Sequence, residues 1–238
     1  MESNGVMKFQ AVVFDFDGVC IDTEQARFQS WQMIFESFGQ ELPKDEWIRN
    51  IGSAAWVSDP FIILETLVGK KLDRKVYEAM HRVNELEIAN AMSLQPGLID
   101  RLREAHAIGT RCAIASSSSH RWVDGHLERR GIRELFATTV CRGDTERHKP
   151  DPQPYQFACE RLGIAPESAL ALEDSPAGIT AARAAGLYTI AVPCSMTAGM
   201  DFSAAHCVVP SLEQVRFSDG ENTADTTANL VFSLDETR

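Results

Sequence analysis

Six side chains able to bind a metal ion or a phosphate group follow apolar segments at four places in the sequence. They are Asp15 and Asp17, Ser116, Lys149, and Glu173 and Asp174. Carboxylates gathered in one cleft repel one another, and their burial is costly without a compensating charge. A hard divalent cation supplies that charge, and Mg²⁺ commonly binds one or two carboxylates together with waters and a phosphate. A lysine and a hydroxyl nearby complete a site for a phosphoryl group, so these residue types indicate metal-assisted phosphoryl transfer.

Five short apolar segments have the composition of buried parallel strands. In chain order they are residues 10–15, 111–115, 137–141, 169–172 and 188–192. Helical segments with apolar residues at spacings of three and four lie between them. Strands that alternate with helices in this way predict an α/β fold with a doubly wound, Rossmann-like parallel sheet. Because such sheets bind ligands outside the carboxyl ends of their strands, the fold would bring the six side chains to one edge.

The segment 24–96 departs from this alternation, since it has helical periodicity and no convincing strand. An apolar stripe over 28–38 predicts one helix, and Asp59 and Asp73 have the positions of helix N-caps. A small all-α cap inserted after the first strand is therefore expected. Two residues in front of it, Asp22 and Thr23, are interpreted as structural hinges of the cap linker.

The predicted organisation has three parts. A discontinuous catalytic core covers 8–23 and 97–216, and the helical cap covers 24–96. The last part, 217–238, is acidic and rich in Thr, Asn and Asp, which is typical of a loosely attached or disordered tail. Within it, 230–232 is apolar enough to dock instead as an edge strand.

Composition limits the classes of partner. A formal net charge of −11 argues against a general nucleic-acid binder, whereas a small phosphorylated metabolite needs only a locally positive cleft. No run of about 18 apolar residues indicates a membrane span, and the first ten residues do not resemble a secretory signal. The six cysteines are scattered without a CxxC pair, as expected for buried thiols in a reducing compartment. We expect a cytoplasmic monomer.

Four motifs accompany the reactive residues. They are FDFDGVCIDTE at 14–24, IASSS at 114–118, HKPDP at 148–152 and ALEDSPAG at 171–178. Their sequences and order resemble the signature motifs of the haloacid dehalogenase (HAD) superfamily, over about residues 8–216. The helical insert is similar in position and size to the cap of the β-phosphoglucomutase-like, CbbY-like branch.

The resemblance implies a role for each residue of the reaction. Asp15 would attack phosphorus and form an aspartyl-phosphate, and Asp17 would protonate the leaving oxygen and then activate water. Ser116 and Lys149 would hold the non-bridging oxygens. The activity implied is that of a phosphatase acting on a small phosphomonoester, such as a sugar phosphate.

The resemblance also implies a Mg²⁺ site. Its ligands would be Asp15, the backbone carbonyl of Asp17, and Asp174, with Glu173 acting directly or through water. Gly18 would let the chain turn tightly beside the phosphate, where a Cβ would crowd it.

Other activities remain as alternatives. A β-phosphoglucomutase-like phosphomutase is the first, but Arg27 stands where the mutases have a cap histidine, and the loop 51–56 lacks their arginine. A dehalogenase would lack the second acid, which Asp17 provides here, and a phosphonate hydrolase would need a cap lysine in the cleft. A non-catalytic HAD-fold binding protein is the alternative from another class.

The substrate side of the site is the least determined by sequence. The residues expected to contact substrate are Gly18, Arg27, Ser117 and His120, and further candidates to line the cleft are Trp31, Trp56 and Arg121. For Trp31, a core position on its helix is the preferred interpretation.

Overall fold

The computed structural model describes residues 8–49, 51, 58–219 and 230–234. Its strands are β1 (Ala11–Phe14), β2 (Arg111–Ser119), β3 (Thr138–Arg142), β4 (Ala169–Glu173), β5 (Tyr188–Ala191), β6 (Cys207–Val208), β7 (Val215–Asp219) and β8 (Leu230–Leu234). Its α-helices are α1 (Thr23–Glu36), α2 (Lys44–Ile48), α3 (Pro60–Val68), α4 (Arg74–Ala91), α5 (Leu98–Ala107), α6 (His120–Arg129), α7 (Gln153–Leu162) and α8 (Pro176–Ala185). Six strands form one sheet in the order β3-β2-β1-β4-β5-β6, and neighbouring strands pair in parallel. The predicted fold class is therefore confirmed.

Every residue of β1 is buried, because helices cover both faces of the sheet. Val12 and Phe14 face one apolar cluster, which includes residues of α5 and α6. Ala11 and Val13 face a second cluster, which includes residues of α7 and α8. Successive side chains of a strand point to opposite faces. A strand buried on both faces therefore has the continuous apolar sequence from which it was predicted.

The chain between β1 and β2 is helical. The expected N-caps are present at Asp59 and Asp73, whose carboxylates accept hydrogen bonds from the backbone N–H groups of Phe61 (2.9 Å) and Lys75 (3.0 Å). The short helix α2 was not predicted, since five residues are too few to show an amphipathic repeat. A separate apolar cluster fills this region, with Trp31 among its buried members.

The C-terminal strands differ from the expectation of a loose tail. β7 and β8 pair antiparallel, with Phe217 opposite Phe232. Leu230 is fully buried and exchanges two backbone hydrogen bonds with Phe9, at 2.8 and 2.7 Å. Disorder therefore does not describe 217–219 and 230–234, and the apolar segment pairs with β7 rather than with the main sheet. The acidic composition of the whole tail concealed a few apolar residues that bury well; the rest of the tail lies outside the described residues.

Leu230→Ala is expected to lower the free energy of unfolding by about 2–5 kcal/mol, the range for truncating a buried leucine. Leu234→Ala is the matched control, since Leu234 is 43% exposed on the same strand. Its effect should stay within about 0.5 kcal/mol. Urea unfolding of both variants measures the difference, and equal effects would show that β8 is not anchored through Leu230.

Most of the cysteines are buried in the interior of the protein. All six are unpaired, and five of them are buried whereas Cys207 is half-buried. Within the described part of the chain, no helix has the length and apolar character needed to cross a membrane.

Candidate active site

Asp15, Glu173 and Asp174 lie together at the carboxyl ends of β1 and β4. These strands are neighbours whose register pairs Phe14 with Leu172, so the residues that follow leave the sheet side by side. One oxygen from each of the three carboxylates lies within 4.8 Å of the other two, and all three side chains are buried. The fold thus brings together acids that are almost 160 residues apart in the sequence.

Lys149 joins this cluster from the loop after β3. Its Nζ donates to Asp15 Oδ1 and to Glu173 Oε1, both at 2.6 Å, and its side chain is only 7% exposed. The lysine therefore fixes the orientation of the Asp15 carboxylate and links it to the end of β4.

Glu173 is saturated with hydrogen bonds. Its Oε1 accepts from Lys149 and, at 2.8 Å, from the Tyr155 hydroxyl. Its Oε2 accepts from the backbone N–H of Asp174 (2.9 Å) and from the backbone and hydroxyl of Ser175. Glu173 is fully buried and both of its oxygens already accept hydrogen bonds. Its carboxylate therefore holds the neighbouring residues in position.

The buried cluster contains fewer positive groups than carboxyl groups, and burial together with this imbalance shifts the pKa values of its members. Burial raises the pKa of Asp15 to about 8, and repulsion from Glu173 adds to this shift although Lys149 opposes it. Burial, then the charges of Glu173 and Asp15, holds the pKa of Asp174 well above its usual range. Burial lowers the pKa of Lys149, but the two carboxylates outweigh it and raise that pKa above its ordinary value. One ammonium group thus accompanies three carboxyl groups and contacts two of them, those of Asp15 and Glu173.

A hard divalent cation fits the residues present. Asp174 Oδ2 is buried without a hydrogen-bond partner among the described residues, and an orphaned buried oxygen calls for an explanation such as an ion. Gly18 has a φ of +88°, and a Cβ built on it would lie 2.0 Å from that same oxygen. The backbone therefore approaches the Asp174 carboxylate closely, and the predicted approach of Gly18 to the phosphate stays a prediction. An oxygen-only donor set with excess negative charge suits Mg²⁺ or Ca²⁺.

Asp17 points to a different set of partners. Its Oδ1 accepts from the hydroxyl of Thr23 (2.5 Å) and from Nε1 of Trp122 (2.9 Å). Its Oδ2 accepts from the hydroxyl of Ser118 (2.5 Å), with the hydroxyl of Ser116 at 3.4 Å. The two predicted acids of the first motif are therefore held separately, one by a buried lysine and one by uncharged donors.

Three partners of Asp17 were not predicted from the sequence: Ser118, Thr23 and Trp122. Ser117 was predicted at the site in place of Ser118, but Ser117 is exposed whereas Ser116 and Ser118 are buried. The reason is that β2 continues to Ser119 instead of ending at residue 115, so alternate serines face the site. Thr23 was interpreted as a hinge, yet it contacts Asp17 directly.

Trp122 was the third contact missed. It lies in the first turn of α6, and helices that follow a strand end in α/β sheets begin at the ligand-binding edge. That placement was the available signal.

Arg27 lies near the site but is already paired. Its guanidinium donates to Glu24 at 2.7 Å and to Glu85 of α4 at 2.9 Å. The predicted contact of Arg27 with substrate stays a prediction. The guanidinium charge is compensated by two carboxylates, which a search for cations in the sequence alone does not reveal.

His120 is also engaged elsewhere. One ring nitrogen contacts Asp124 and the other contacts Asp144, both at 2.7 Å. Burial lowers the pKa of His120, but the hydrogen bonds to both carboxylates outweigh it and raise that pKa. These contacts link the chain after β2 to the chain after β3, and the predicted contact of His120 with substrate stays a prediction.

Three other residues were candidates to line the cleft: Trp31, Arg121 and Trp56. Trp31 is 3% exposed within the apolar cluster of the helical insert, as its preferred interpretation expected. Arg121 is exposed, and Trp56 lies outside the described residues.

The chain belongs to the haloacid dehalogenase-like hydrolase family, whose model matches residues 12–192. Among relatives, the chain is 36% identical over 193 residues to YhcW of Bacillus subtilis (strain 168), a protein named among the phosphatases. That match covers 81% of this chain and 87% of the relative. The predicted superfamily and hydrolase class are therefore confirmed.

Two further similar proteins have names or bound ligands that refer to phosphorylated carbohydrates. The chain is 29% identical over 181 residues to the phosphorylated carbohydrates phosphatase of Thermotoga maritima, covering 76% of this chain and 83% of that one. It is also similar to the structure of CbbY from Rhodobacter sphaeroides, which was solved with phosphate and, as a mutant, with xylulose-1,5-bisphosphate. The TM-score is 0.69 at 26% identity, covering 86% of this chain and 95% of CbbY.

Proposed function

We propose that this chain is a magnesium-dependent phosphatase that hydrolyses a small phosphomonoester through an aspartyl-phosphate. The observation that carries the proposal is the contact of Lys149 Nζ with Asp15 Oδ1, beside the unpartnered Oδ2 of Asp174. A carboxylate fixed by a lysine next to a cation-binding oxygen is arranged for attack on a phosphoryl group. The names of the phosphatase relatives support the same class of reaction.

The reaction proceeds in two displacements. In the first, an oxygen of Asp15 bonds to phosphorus while the bond from phosphorus to the leaving oxygen breaks, and Asp17 gives that oxygen a proton. Ser116 and Lys149 hold the non-bridging oxygens and offset their charge. In the second, Asp17 takes a proton from the water that attacks phosphorus, which releases phosphate and regenerates the Asp15 carboxylate.

Asp15, Asp174 and the backbone carbonyl of Asp17 are the ligands we assign to Mg²⁺. Glu173 acts through water, because both of its oxygens already accept hydrogen bonds. When bound, the ion neutralises charge on the phosphoryl oxygens and makes phosphorus more electrophilic. The free lone pairs of Asp174 Oδ2 support this assignment.

Transfer to water is favoured over transfer to a second hydroxyl of the substrate. A phosphomutase must hold a sugar in two orientations with donors that stay close to the phosphoryl group. Arg27 stands where the mutases have a histidine and cannot exchange a proton near neutral pH. Its Nε and Nη1 already donate to Glu85 and Glu24. The same ion pairs argue against the mutase alternative.

The charges near the site also favour an uncharged leaving group. Glu24 and Glu85 supply two carboxylates against the one guanidinium of Arg27. Burial raises the pKa of both carboxyls, Arg27 opposes this, and the nearby charge of Asp17 adds to it. A hydroxyl-rich leaving group can hydrogen-bond to such carboxylates, whereas a second phosphate or a carboxylate would be repelled. We therefore propose a sugar monophosphate as the substrate.

Phosphate release from a panel of phosphomonoesters tests these proposals. The panel holds hexose and pentose monophosphates, phosphoglycolate, a sugar bisphosphate and p-nitrophenyl phosphate, each with Mg²⁺, Ca²⁺ or a chelator. We expect hydrolysis to need Mg²⁺ and to be poorly supported by Ca²⁺, which tolerates looser coordination than Mg²⁺. The kcat/KM of sugar monophosphates should exceed that of phosphoglycolate and the sugar bisphosphate, which carry a second anionic group, by about tenfold, equivalent to ~1.4 kcal/mol.

Three results would contradict the proposals. Undiminished activity after exhaustive chelation would remove the metal site. No hydrolysis of any compound with Mg²⁺ would favour the non-catalytic alternative. Conversion of β-glucose 1-phosphate to glucose 6-phosphate without phosphate release, given a trace of the bisphosphate, would move the protein to the isomerases.

A further inference from the structure

The carboxyl group of Asp17 is surrounded by donors of two kinds. The hydroxyls of Thr23, Ser116 and Ser118 can each donate or accept a hydrogen bond, whereas the indole N–H of Trp122 can only donate. The indole and the Thr23 hydroxyl contact Oδ1 at 2.9 and 2.5 Å, and the two serine hydroxyls contact Oδ2. The two oxygens of this carboxyl are therefore not equivalent.

A donor-only partner fixes how the carboxyl group is turned. The indole N–H can be matched only by an accepting oxygen, so it holds Oδ1 on its own side and turns Oδ2 toward the hydroxyls of Ser116 and Ser118. Oδ2 is the oxygen on the side of Ser116, which the proposed mechanism places against the phosphoryl group.

The indole is fixed by packing rather than by its single hydrogen bond. Its ring meets the imidazole of His126 edge-on, with centroids 4.4 Å apart and an interplanar angle of 83°. His126 in turn stacks on Phe16, the residue between the two aspartates of the first motif. This stack holds the donor in a constant position relative to Asp17.

We propose that Trp122 is a positioning residue that fixes the orientation of the Asp17 carboxyl group, with Oδ2 on the side of Ser116 where the proposed mechanism transfers the proton. The inference rests on the proposed phosphatase function. Its consequence is specific to the leaving group, because an alkoxide needs a proton as its bond to phosphorus breaks whereas p-nitrophenolate leaves without one. A residue that merely stabilises the fold would not distinguish the two.

Trp122→Phe tests the proposal, since it removes the N–H and keeps an aromatic ring. The measurement is kcat/KM, which reports the step up to aspartyl-phosphate formation, with a sugar monophosphate and with p-nitrophenyl phosphate. We expect a fall of about 10–100-fold for the sugar monophosphate, part of the range for general acid catalysis. For p-nitrophenyl phosphate the fall should be less than about threefold on the same reasoning.

Trp31→Phe is the matched control, because Trp31 Nε1 is buried without a hydrogen-bond partner among the described residues. It should change kcat/KM for both substrates by the same factor. Trp122→Met, which also lacks the donor, should reproduce the selective loss if the phenylalanine variant folds poorly.

The outcomes separate this inference from the phosphatase proposal. Equal losses for both substrates, or no loss for the sugar monophosphate, would overturn the role of Trp122 while leaving the phosphatase intact. A wild-type protein that hydrolyses neither substrate would overturn both.

Discussion

Asp15→Asn will abolish phosphate release while the protein stays folded. An amide oxygen is a far poorer nucleophile than a carboxylate, so no aspartyl-phosphate can form. We expect kcat to fall by at least about 10⁴-fold, since loss of a catalytic nucleophile in a hydrolase costs on the order of 10⁶. Single-turnover phosphate release with Mg²⁺ measures the loss, and thermal unfolding monitors the fold.

The same variant has an expected effect on stability. In the absence of metal, burial raises the pKa of Asp15 to about 8 and repulsion from Glu173 adds to this shift, so asparagine replaces a carboxyl group whose charged form is disfavoured, and its amide oxygen can still accept the hydrogen bond from Lys149. The metal-free variant should therefore unfold at a temperature no lower than the wild type.

Asp59→Asn is the charge-matched control, because Asp59 caps α3 away from the site and asparagine is an equally good N-cap. It should keep wild-type activity. Retention of a tenth of the activity by Asp15→Asn would remove Asp15 from the role of nucleophile.

The sequence was informative wherever a strand buried on both faces ended in a reactive residue. The continuous apolar run before Asp15 and the one before Glu173 each predicted a strand, and the parallel topology then required their ends to meet. Lys149 was predicted at the same edge because its loop follows another parallel strand, β3, and its long side chain reaches the cluster.

The sequence was least informative where a side chain's direction or partner decided its role. Ser117 and Ser118 differ only by strand alternation, and the strand had to be known to reach Ser119. Arginine is a residue type that binds phosphate, but Arg27 pairs with Glu85, which lies 58 residues further along the chain on another helix. Such contacts depend on tertiary packing, which the pattern of apolar residues within one helix does not predict.

Lys149→Met should reduce both activity and stability, and it is the second variant with a large expected effect. Methionine fills a similar volume but removes the ammonium group that contacts Asp15 and Glu173. The loss of one charge-stabilising donor in the transition state costs about 10²–10³ in kcat. Breaking a buried ion pair on one side destabilises by about 3–5 kcal/mol, because the remaining carboxylates are left uncompensated.

Tyr155→Phe separates these two effects. The Tyr155 hydroxyl donates to the same Glu173 Oε1 as the lysine, but it is neutral and makes no hydrogen bond with Asp15 among the contacts described. Its removal should destabilise the fold by about 1–3 kcal/mol, the cost of leaving a buried partner short of a donor, and should lower kcat far less than Lys149→Met. Urea unfolding and single-turnover kinetics on both variants give the comparison.

The direction of the kinetic change then identifies what Lys149 does. If the lysine stabilises charge that develops on the phosphoryl oxygens, Lys149→Met lowers kcat and kcat/KM together, whereas loss of simple attraction raises KM alone. An unchanged single-turnover rate at saturating substrate would assign Lys149 to substrate attraction. Equal kinetic losses in Tyr155→Phe would instead trace the effect to Glu173 and the position of Asp174, since Glu173 Oε2 binds the Asp174 backbone N–H at 2.9 Å.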